Sequence, residues 1–421
     1  MTMIDRKWKV YEIILIIEAL YSLKAWFFWW IPDMMAVLVI FMINALFMLS
    51  TPFWDYNNSR KKVAAILILV LFIYRTFVDG GVFNYYVVQI LSSFSLIPLI
   101  LLKPKYQISL LESFQRVIVI ILAVGLVFWI LHFFGIGISP VQLTYGEIDR
   151  GRGLEDQYLF DNYYIFLVNQ SWMLNPVEIV PDFLRFSSVF LEPGYVAILM
   201  VFLLSVNNFN FKDWRNYVYI ATIIASVSLA GFLIGAFALF AIRMRGKKHM
   251  LLWLVSMLVL VFIGYTFFKN YNNGNNFINQ GIIERMEYDE SEGTIAGYNR
   301  TSEDVDKQFS NFLFSSDILF GVGHKTVAEM SGSSVGYKVY IMQYGLLGLV
   351  LFLLFLLILC KSGGNFQSRL LLLIYLLMFI RGHNTMLWLG FVLVYVCGIA
   401  LSKYDIHNDE KNSTDSALQR V

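Results

Sequence analysis

Charge is scarce in this chain of 421 residues: Asp, Glu, Lys and Arg make up 15% of it, where a soluble protein carries about 25%. A chain so poor in charge is not a soluble globular domain. Cysteine is scarcer still, with Cys360 and Cys397 alone and both in apolar runs, so neither a disulfide framework nor a zinc cluster is encoded. An excess of one sign is also lacking. The 32 basic and 30 acidic residues leave a net +2, with no basic block to follow a phosphate backbone, which excludes nucleic acid as a partner. The acidic cluster Asp289, Glu290 and Glu292 lacks regular ligand spacing, so no metal and no cofactor is expected. No small-residue cleavage site follows Arg6, Lys7 and Lys9, and the first apolar run reads as an uncleaved span. No internal repeat is seen.

What the chain has is apolar residues, 58% of the total, which at about 20 per bilayer crossing allows up to about twelve helices. Single crossings read at 11–30, 34–49, 63–78, 82–102, 117–138, 186–206, 251–268 and 337–360. Two stretches read as hairpins of two spans, 217–242 and 370–401, the second broken by Arg381, Gly382, His383 and Asn384. The first is too short for two full crossings, so short or re-entrant arms are expected. Arg60, Lys61, Lys62, Lys103, Lys105 and Arg116 then fall on the cytoplasmic side, as the positive-inside rule requires, with both termini cytoplasmic.

The fold class that follows is an all-α polytopic membrane protein with about twelve transmembrane helices. Residues 1–138 form N-terminal transmembrane helices and 139–185 a first long extracytoplasmic loop. Central helices occupy 186–268 with the short hairpin at 217–242, a second long extracytoplasmic loop covers 269–336, C-terminal helices 337–402 and a cytoplasmic tail 403–421. Loops of this length are functional or disordered. The first carries Tyr145, Tyr158, Tyr163, Tyr164 and Trp172. In the second, 284–292 reads as an acidic mobile stretch and 302–314 as an amphipathic helix near the interface. The polar tail from Tyr404 onward reads as disordered.

Charges inside apolar spans are costly, so each is a functional candidate weighed against a packing role. Arg185 stands at the outer mouth of span 186–206, and Glu192 lies two helical turns further in on the same face. Pro193 and Gly194 mark a kink or a new helix start there. Arg75 and Asp79 read as a local i,i+4 pair, and Glu12, Glu18 and Lys24 as packing residues of the first span. Trp26, Phe27, Phe28, Trp29 and Trp30 read as an interfacial aromatic belt.

The run Arg185-Phe-Ser-Ser-Val-Phe-Leu-Glu-Pro-Gly-Tyr195 resembles the Arg-containing motif of the O-antigen polymerase and O-antigen ligase superfamily. Arg300, followed by an amphipathic stretch and then Ile318-Leu319-Phe320-Gly321-Val322-Gly323, is similar to that family's Arg, loop helix and Leu-Phe-Gly-x-Gly. Gln343-Tyr344-Gly345-Leu346-Leu347-Gly348 resembles its Tyr-Gly-x-x-Gly element. Ser226, Ser228 and Gly231 resemble its Ser-rich turn without the usual Arg. Ligases of the superfamily place a His shortly before the Tyr-Gly element, where this chain has Gly336, Tyr337 and Lys338.

The resemblance implies a GT-C-like membrane glycosyltransferase in the bacterial cytoplasmic (inner) membrane. It would polymerise polyprenyl-pyrophosphate-linked glycan repeat units into O-antigen, capsule or exopolysaccharide, with a ligase or a transporter of the lipid-linked unit as alternatives. A chain-length regulator, a flippase and membrane lipid are the partners implied. Negative charge builds on the pyrophosphate leaving group as its glycosidic bond breaks, and a guanidinium fork stabilises it. Arg185 and Arg300 are the first such residues, Arg381 a third. The attacking hydroxyl needs a base within hydrogen-bond reach; Glu192 is placed first, then His383 and His324.

Overall fold

The structure, a computed structural model, describes residues 3–80, 83–137, 139–144, 159–169, 184–245, 250–276, 278–289, 294–295, 303–331, 336–382 and 385–418. It is mostly helical. In chain order the helices are α1 (Met3–Ser22), α2 (Asp33–Ser50), α3 (Ser59–Asp79), α4 (Phe83–Leu101), α5 (Pro104–Phe133), α6 (Pro193–Val206), α7 (Arg215–Ser226), α8 (Leu229–Met244) and α9 (Met250–Asn270). Then follow α10 (Glu303–Phe312), α11 (His324–Ser331), α12 (Tyr337–Gly363), α13 (Phe366–Arg381) and α14 (Leu389–Leu418). Among the described residues α2, α5 and α12 are long and apolar enough to cross a membrane, and α6 and α8 are shorter apolar helices. The chain divides into two compact units, one of Met1–Ile118 with Arg300–Val421 and one of Val119–Asn299.

In the first unit α3 lies along α12, and α12 packs on α13 and α14. Local sequence sets the helix limits. Asn58 caps α3 by accepting from the Arg60 and Lys61 amides, and Gly80 ends it at φ 60°. Asn365 and Ser368 form a reciprocal capping box at the start of α13. The charges of α1 tie it to its neighbours. The Ser109 hydroxyl donates to Glu12 at 2.5 Å, while Asn44 of α2 donates to both oxygens of Glu18 at 3.0 Å and accepts from the Tyr11 hydroxyl at 2.5 Å. Lys24 sits beyond the end of α1 with φ 56° and pairs with Asp33 at 3.8 Å. The tail does not turn to coil: α14 continues to Leu418, because no Gly or Pro interrupts 404–418.

The second long loop contributes its own small core. Val305 and Phe312 of α10, Val327 of α11, and Val339, Ile341 and Met342 of α12 are buried together. Helix α10 falls where 302–314 has its amphipathic pattern, and Lys338 pairs with Asp306 at 2.8 Å to fix it on α12.

Helix α12 is interrupted at Gly345, which has φ 62° and ψ −174°, a region open in practice only to glycine. The interruption frees backbone groups that the segment Leu319–Gly323 satisfies. The Val322 amide donates to Met342 O at 2.9 Å, the Gly323 amide to Gln343 O at 3.0 Å, and the Leu347 amide to Leu319 O at 3.0 Å. Gly321, at φ 81°, faces Gly345 so closely that a Cβ on Gly321 would stand 2.3 Å from Gln343 O, and one on Gly345 2.4 Å from Leu319 O.

In the second unit α6 is buried along its whole length and packs on both α7 and α8. The direction of each follows from its contacts. Asn207 Nδ2, after α6, donates to Asn216 Oδ1 at the start of α7 at 2.9 Å, and the Phe186 amide ahead of α6 donates to Ala225 O at the end of α7. Gly231 and Gly235 of α8 lie against Ala197 and Val201 of α6, and Arg243 donates to Phe209 O. So α7 runs antiparallel to α6 and α8 runs back alongside it. The reversal is made at Val227, φ 44°, and at Ser228, whose hydroxyl caps α8 through the Gly231 amide. At 12 and 16 residues the two arms are about 18 and 24 Å long, shorter than the roughly 30 Å hydrocarbon core.

Within the mostly helical fold, the first long loop carries short strands where it is described. Strands β1 (Val141–Thr144), β2 (Leu159–Asn162) and β3 (Leu167–Asn169) form a three-stranded antiparallel sheet in the order β1-β2-β3. Two-residue strands β4 (Tyr288–Asp289) and β5 (Thr294–Ile295) pair in the second loop. Alternation over so few residues falls below what a hydropathy reading resolves.

The glycine crossing yields a stability test. Gly321→Ala and Gly345→Ala each force a methyl into a backbone carbonyl at positive φ, and each is expected to cost about 2–4 kcal/mol. Gly264→Ala, where nothing lies within 4 Å, serves as the control and is expected to leave the melting temperature of the detergent-solubilised protein unchanged or slightly raised.

Candidate functional site

Of the residues singled out in the sequence, Arg185 and Glu192 belong to the second unit, and His324 and Arg381 to the first. Arg300 and His383 lie outside the described residues, as do Tyr145, Tyr158 and Trp172.

Arg185 and Glu192 do not share a helix face. Residues 184–192 are non-helical, and α6 starts only at Pro193, with Glu192 as its N-cap residue in extended conformation. Proline at the first helical position has no amide to satisfy and presets φ, so the chain enters α6 there and not at Phe186.

The strand-like segment ahead of α6 is held residue by residue. Trp129 Nε1 donates to Leu184 O at 2.8 Å, Arg185 Nε to Ser226 O at 3.0 Å, the Phe186 amide to Ala225 O at 3.0 Å, and Ser187 Oγ to Leu167 O at 3.1 Å. Ser188 O in turn accepts from the Leu167 amide at 2.8 Å. Ser188 is fully buried with φ 53°, and its hydroxyl has no hydrogen-bond partner. Gly125 makes room for it, since a Cβ there would stand 3.0 Å from Ser188 Oγ. The Arg-containing segment is thus locked between the end of α7, the β-sheet and α5, and its guanidinium is aimed at the reversal between α7 and α8.

His132, at the end of α5 and one turn beyond Trp129, packs edge-on against Tyr163 at 4.8 Å, and Tyr163 stacks on Phe166 at 4.7 Å. Burial pushes the Tyr163 hydroxyl above its ordinary pKa, and Asp161 adds to the shift. Sequence reasoning passed over His132 because it closes a long apolar run and carries no motif.

The first unit holds a second constellation, at the end of α3 against the interruption of α12. The Tyr74 hydroxyl is shared between Phe320 O at 2.7 Å and Tyr344 O at 2.8 Å. Arg75 stacks its guanidinium 4.6 Å from the centre of the Tyr344 ring and donates Nη2 to the Tyr344 hydroxyl at 3.1 Å. That hydroxyl donates to Asp79 Oδ2 at 3.4 Å, and Asp79 Oδ1 accepts the His324 amide at 2.7 Å. Gln343 Nε2 lies 3.0 Å from His324 Nδ1. An amide nitrogen donates, so in this arrangement Nδ1 accepts and a neutral imidazole carries its proton on Nε2.

Arg75 and Asp79 are therefore not an isolated pair on one helix. Both reach Tyr344 of α12, some 270 and 265 residues away. The signal that marks them was present, a charged pair within an apolar span, and only its local reading was misleading. Arg381 lies in the last turn of α13, ahead of Gly382 in extended conformation, and none of the described hydrogen bonds joins it to the Arg75 constellation.

Chemically, the two places differ. The Arg185 segment offers a positioned guanidinium beside a serine-containing helix reversal. The Arg75 constellation offers a cation, a carboxylate, a phenol and an imidazole on a rigid backbone crossing.

Tyr74 tests how far that crossing depends on side chains. Tyr74→Phe leaves Phe320 O and Tyr344 O without their shared donor and is expected to destabilise the protein by about 1–3 kcal/mol, read as a lower denaturation midpoint in detergent. An unchanged midpoint would mean that water replaces the hydroxyl. The chain matches no family model, no curated protein and no solved structure.

Proposed function

We propose that this protein is a membrane glycosyltransferase that polymerises polyprenyl-pyrophosphate-linked oligosaccharide repeat units at the outer face of the bacterial cytoplasmic membrane, producing O-antigen, capsular or exopolysaccharide. In this reading it has about twelve spans, two long extracytoplasmic loops and both termini in the cytoplasm. The observation that carries it is the pairing of the motif segments. Arg185 bonds to Ser226 in the serine-containing turn, and the Leu319–Gly323 segment crosses the Tyr344-Gly345 element backbone to backbone. Segments that resemble one superfamily's motifs meet in pairs, across about 40 and about 20 residues of chain.

The chemistry is a displacement at the anomeric carbon of the donor glycan. Its bond to the pyrophosphate oxygen breaks with the electron pair staying on oxygen, a bond to the acceptor hydroxyl oxygen forms, and the hydroxyl proton passes to a base. Arg185, Arg300 and Arg381 are the proposed ligands of the departing pyrophosphate, where fixed guanidinium groups stabilise charge without reorganising. Glu192, His324 and His383 are the proposed bases.

One contact favours a second reading, a ligase that moves finished glycan to a lipid acceptor. The His324 imidazole touches Gln343, directly before Tyr344, and so brings to the Tyr-Gly element a histidine that the preceding residues lack.

Deleting the gene in its host and running the surface glycolipids on a gel separates the readings. Loss of the ladder with a single repeat unit remaining is the expected result; long glycan stranded on its polyprenyl carrier would establish the ligase, and an unchanged ladder would overturn both. In the complemented strain Arg185→Ala is expected to reach the membrane at normal level and to reduce chain extension by at least about a hundredfold. Normal extension by that variant removes Arg185 from the reaction.

A further inference from the structure

Glu18 is a carboxyl in the apolar stretch of α1 that meets no cation among the described residues. It is 5% exposed, and Asn44 of α2 beside it is fully buried. Its hydrogen-bond partner is the Asn44 amide, whose Nδ2 stands 3.0 Å from each carboxyl oxygen. The basic residues of α1 nearest to it are engaged, Lys9 with Glu12 at 2.7 Å and Lys24 with Asp33 at 3.8 Å. The helices around the pair bring no other cation. Helix α2 has Asp33 as its one ionisable residue, α4 has no Lys, Arg, His, Asp or Glu, and α14, which packs on α1, has none before Lys403. On α14 the Tyr395 hydroxyl donates to Leu356 O, and on α5 Arg116 pairs with Glu112 at 3.7 Å. The titratable group that acts on Glu18 is Tyr11, two turns back on α1. A carboxylate buried against one neutral partner is costly. Glutamine would fill a packing role at the same place without the charge, and an ionisable group kept there has a use for its proton.

We propose that Glu18 is a proton-binding site between α1 and α2, loaded at neutral pH, and that the Asn44 amide and the Tyr11 hydroxyl register whether the proton is bound. The hydrogen bonds can be completed in both states. With Glu18 as an anion, one Nδ2 proton is shared between the two carboxyl oxygens, the other goes to Ile40 O at 3.0 Å, and Oδ1 accepts the Tyr11 hydroxyl at 2.5 Å. When Glu18 takes a proton from water, its new O–H donates to Asn44 Oδ1 once the amide has turned over. Nδ2 then donates to the Tyr11 oxygen, because a phenol both gives and accepts. Ile40 O keeps its helical amide donor. One proton is bound, no charge is left in the apolar stretch, and no other reactant is needed.

The surroundings carry the state of the proton to the packing of α2. Ala36 and Asn44 are the buried residues of that helix, so its polar hold on α1 is the amide that turns. Tyr11 in turn stacks on Phe47 of α2 at 4.4 Å and lies 6.3 Å from Phe53 in the segment that follows. A change in the Asn44 amide therefore reaches the ring cluster that joins α1, α2 and the start of the next connection. None of these residues belongs to the groups proposed above for glycan transfer, and the site does not depend on that reading.

The test is infrared spectroscopy of the full-length chain in a maltoside detergent, which has no carboxyl band of its own. At about pH 7, where exposed carboxyls are ionised, the wild-type protein is expected to show a carboxylic-acid C=O band that shifts in D2O and is lost in Glu18→Gln. Glu18→Asp keeps the acid and is expected to move the band, which supplies the assignment if the Gln variant fails to fold. Asn44→Leu removes the acceptor of the carboxyl proton, and the band is expected at higher wavenumber. Raising the pH is expected to replace the band by carboxylate absorption in the wild type. No acid band in the wild type at neutral pH, or the same band in Glu18→Gln, overturns the site. So does a wild-type band that persists unchanged to about pH 10, since the proton is then never released. An unshifted band in Asn44→Leu overturns the part given to the amide.

Discussion

The close approach of Gly321 and Gly345 is the constraint on which the rest of the first unit depends. A helix in an apolar medium cannot be interrupted without leaving carbonyls and amides unmatched, and here the interruption of α12 is matched by a second piece of backbone. Two residues without a Cβ are needed for that approach, because either methyl would enter a carbonyl oxygen. Once the crossing forms, Tyr344 is held at one orientation. Arg75, Asp79 and His324 then take their places around it.

A comparable logic operates in the second unit with different means. The segment ahead of α6 is neither helix nor sheet, and its backbone groups are matched one at a time by Trp129, Ala225 and Leu167. Ser188 pays for this path with a left-handed conformation and an unmatched hydroxyl. Local strain of this kind persists when the surroundings over-determine it, and the neighbouring Arg185 is the residue whose aim it secures.

The two arginines illustrate different treatments of a charge beside apolar structure. Arg185 gives Nε to a backbone carbonyl and is drawn into the helix reversal. Arg75 is stacked on a ring, donates Nη2 to the Tyr344 hydroxyl and leaves its buried Nε without a partner. The first arrangement fixes a direction, and the second leaves a buried donor unmatched.

The sequence by itself determined the class, a mostly helical chain with helices apolar enough to cross a membrane. A shortage of charge, long apolar runs and the amphipathic stretch of α10 are properties of single segments, and so are the glycines of 321–323 and 345–348; these are legible in a linear reading. The tertiary structure decided which segments meet. It put Arg75 and Asp79 on Tyr344, a pairing that i,i+4 spacing disguised as a local one. It also started α6 at Pro193 rather than Phe186, which removed the shared face of Arg185 and Glu192, and it built β1–β3 from strands too short to show a period. The reason is the same in each case. Hydropathy and periodicity are set by neighbours in sequence, whereas a backbone group left unmatched at a helix break takes its partner from whatever segment packing brings within reach.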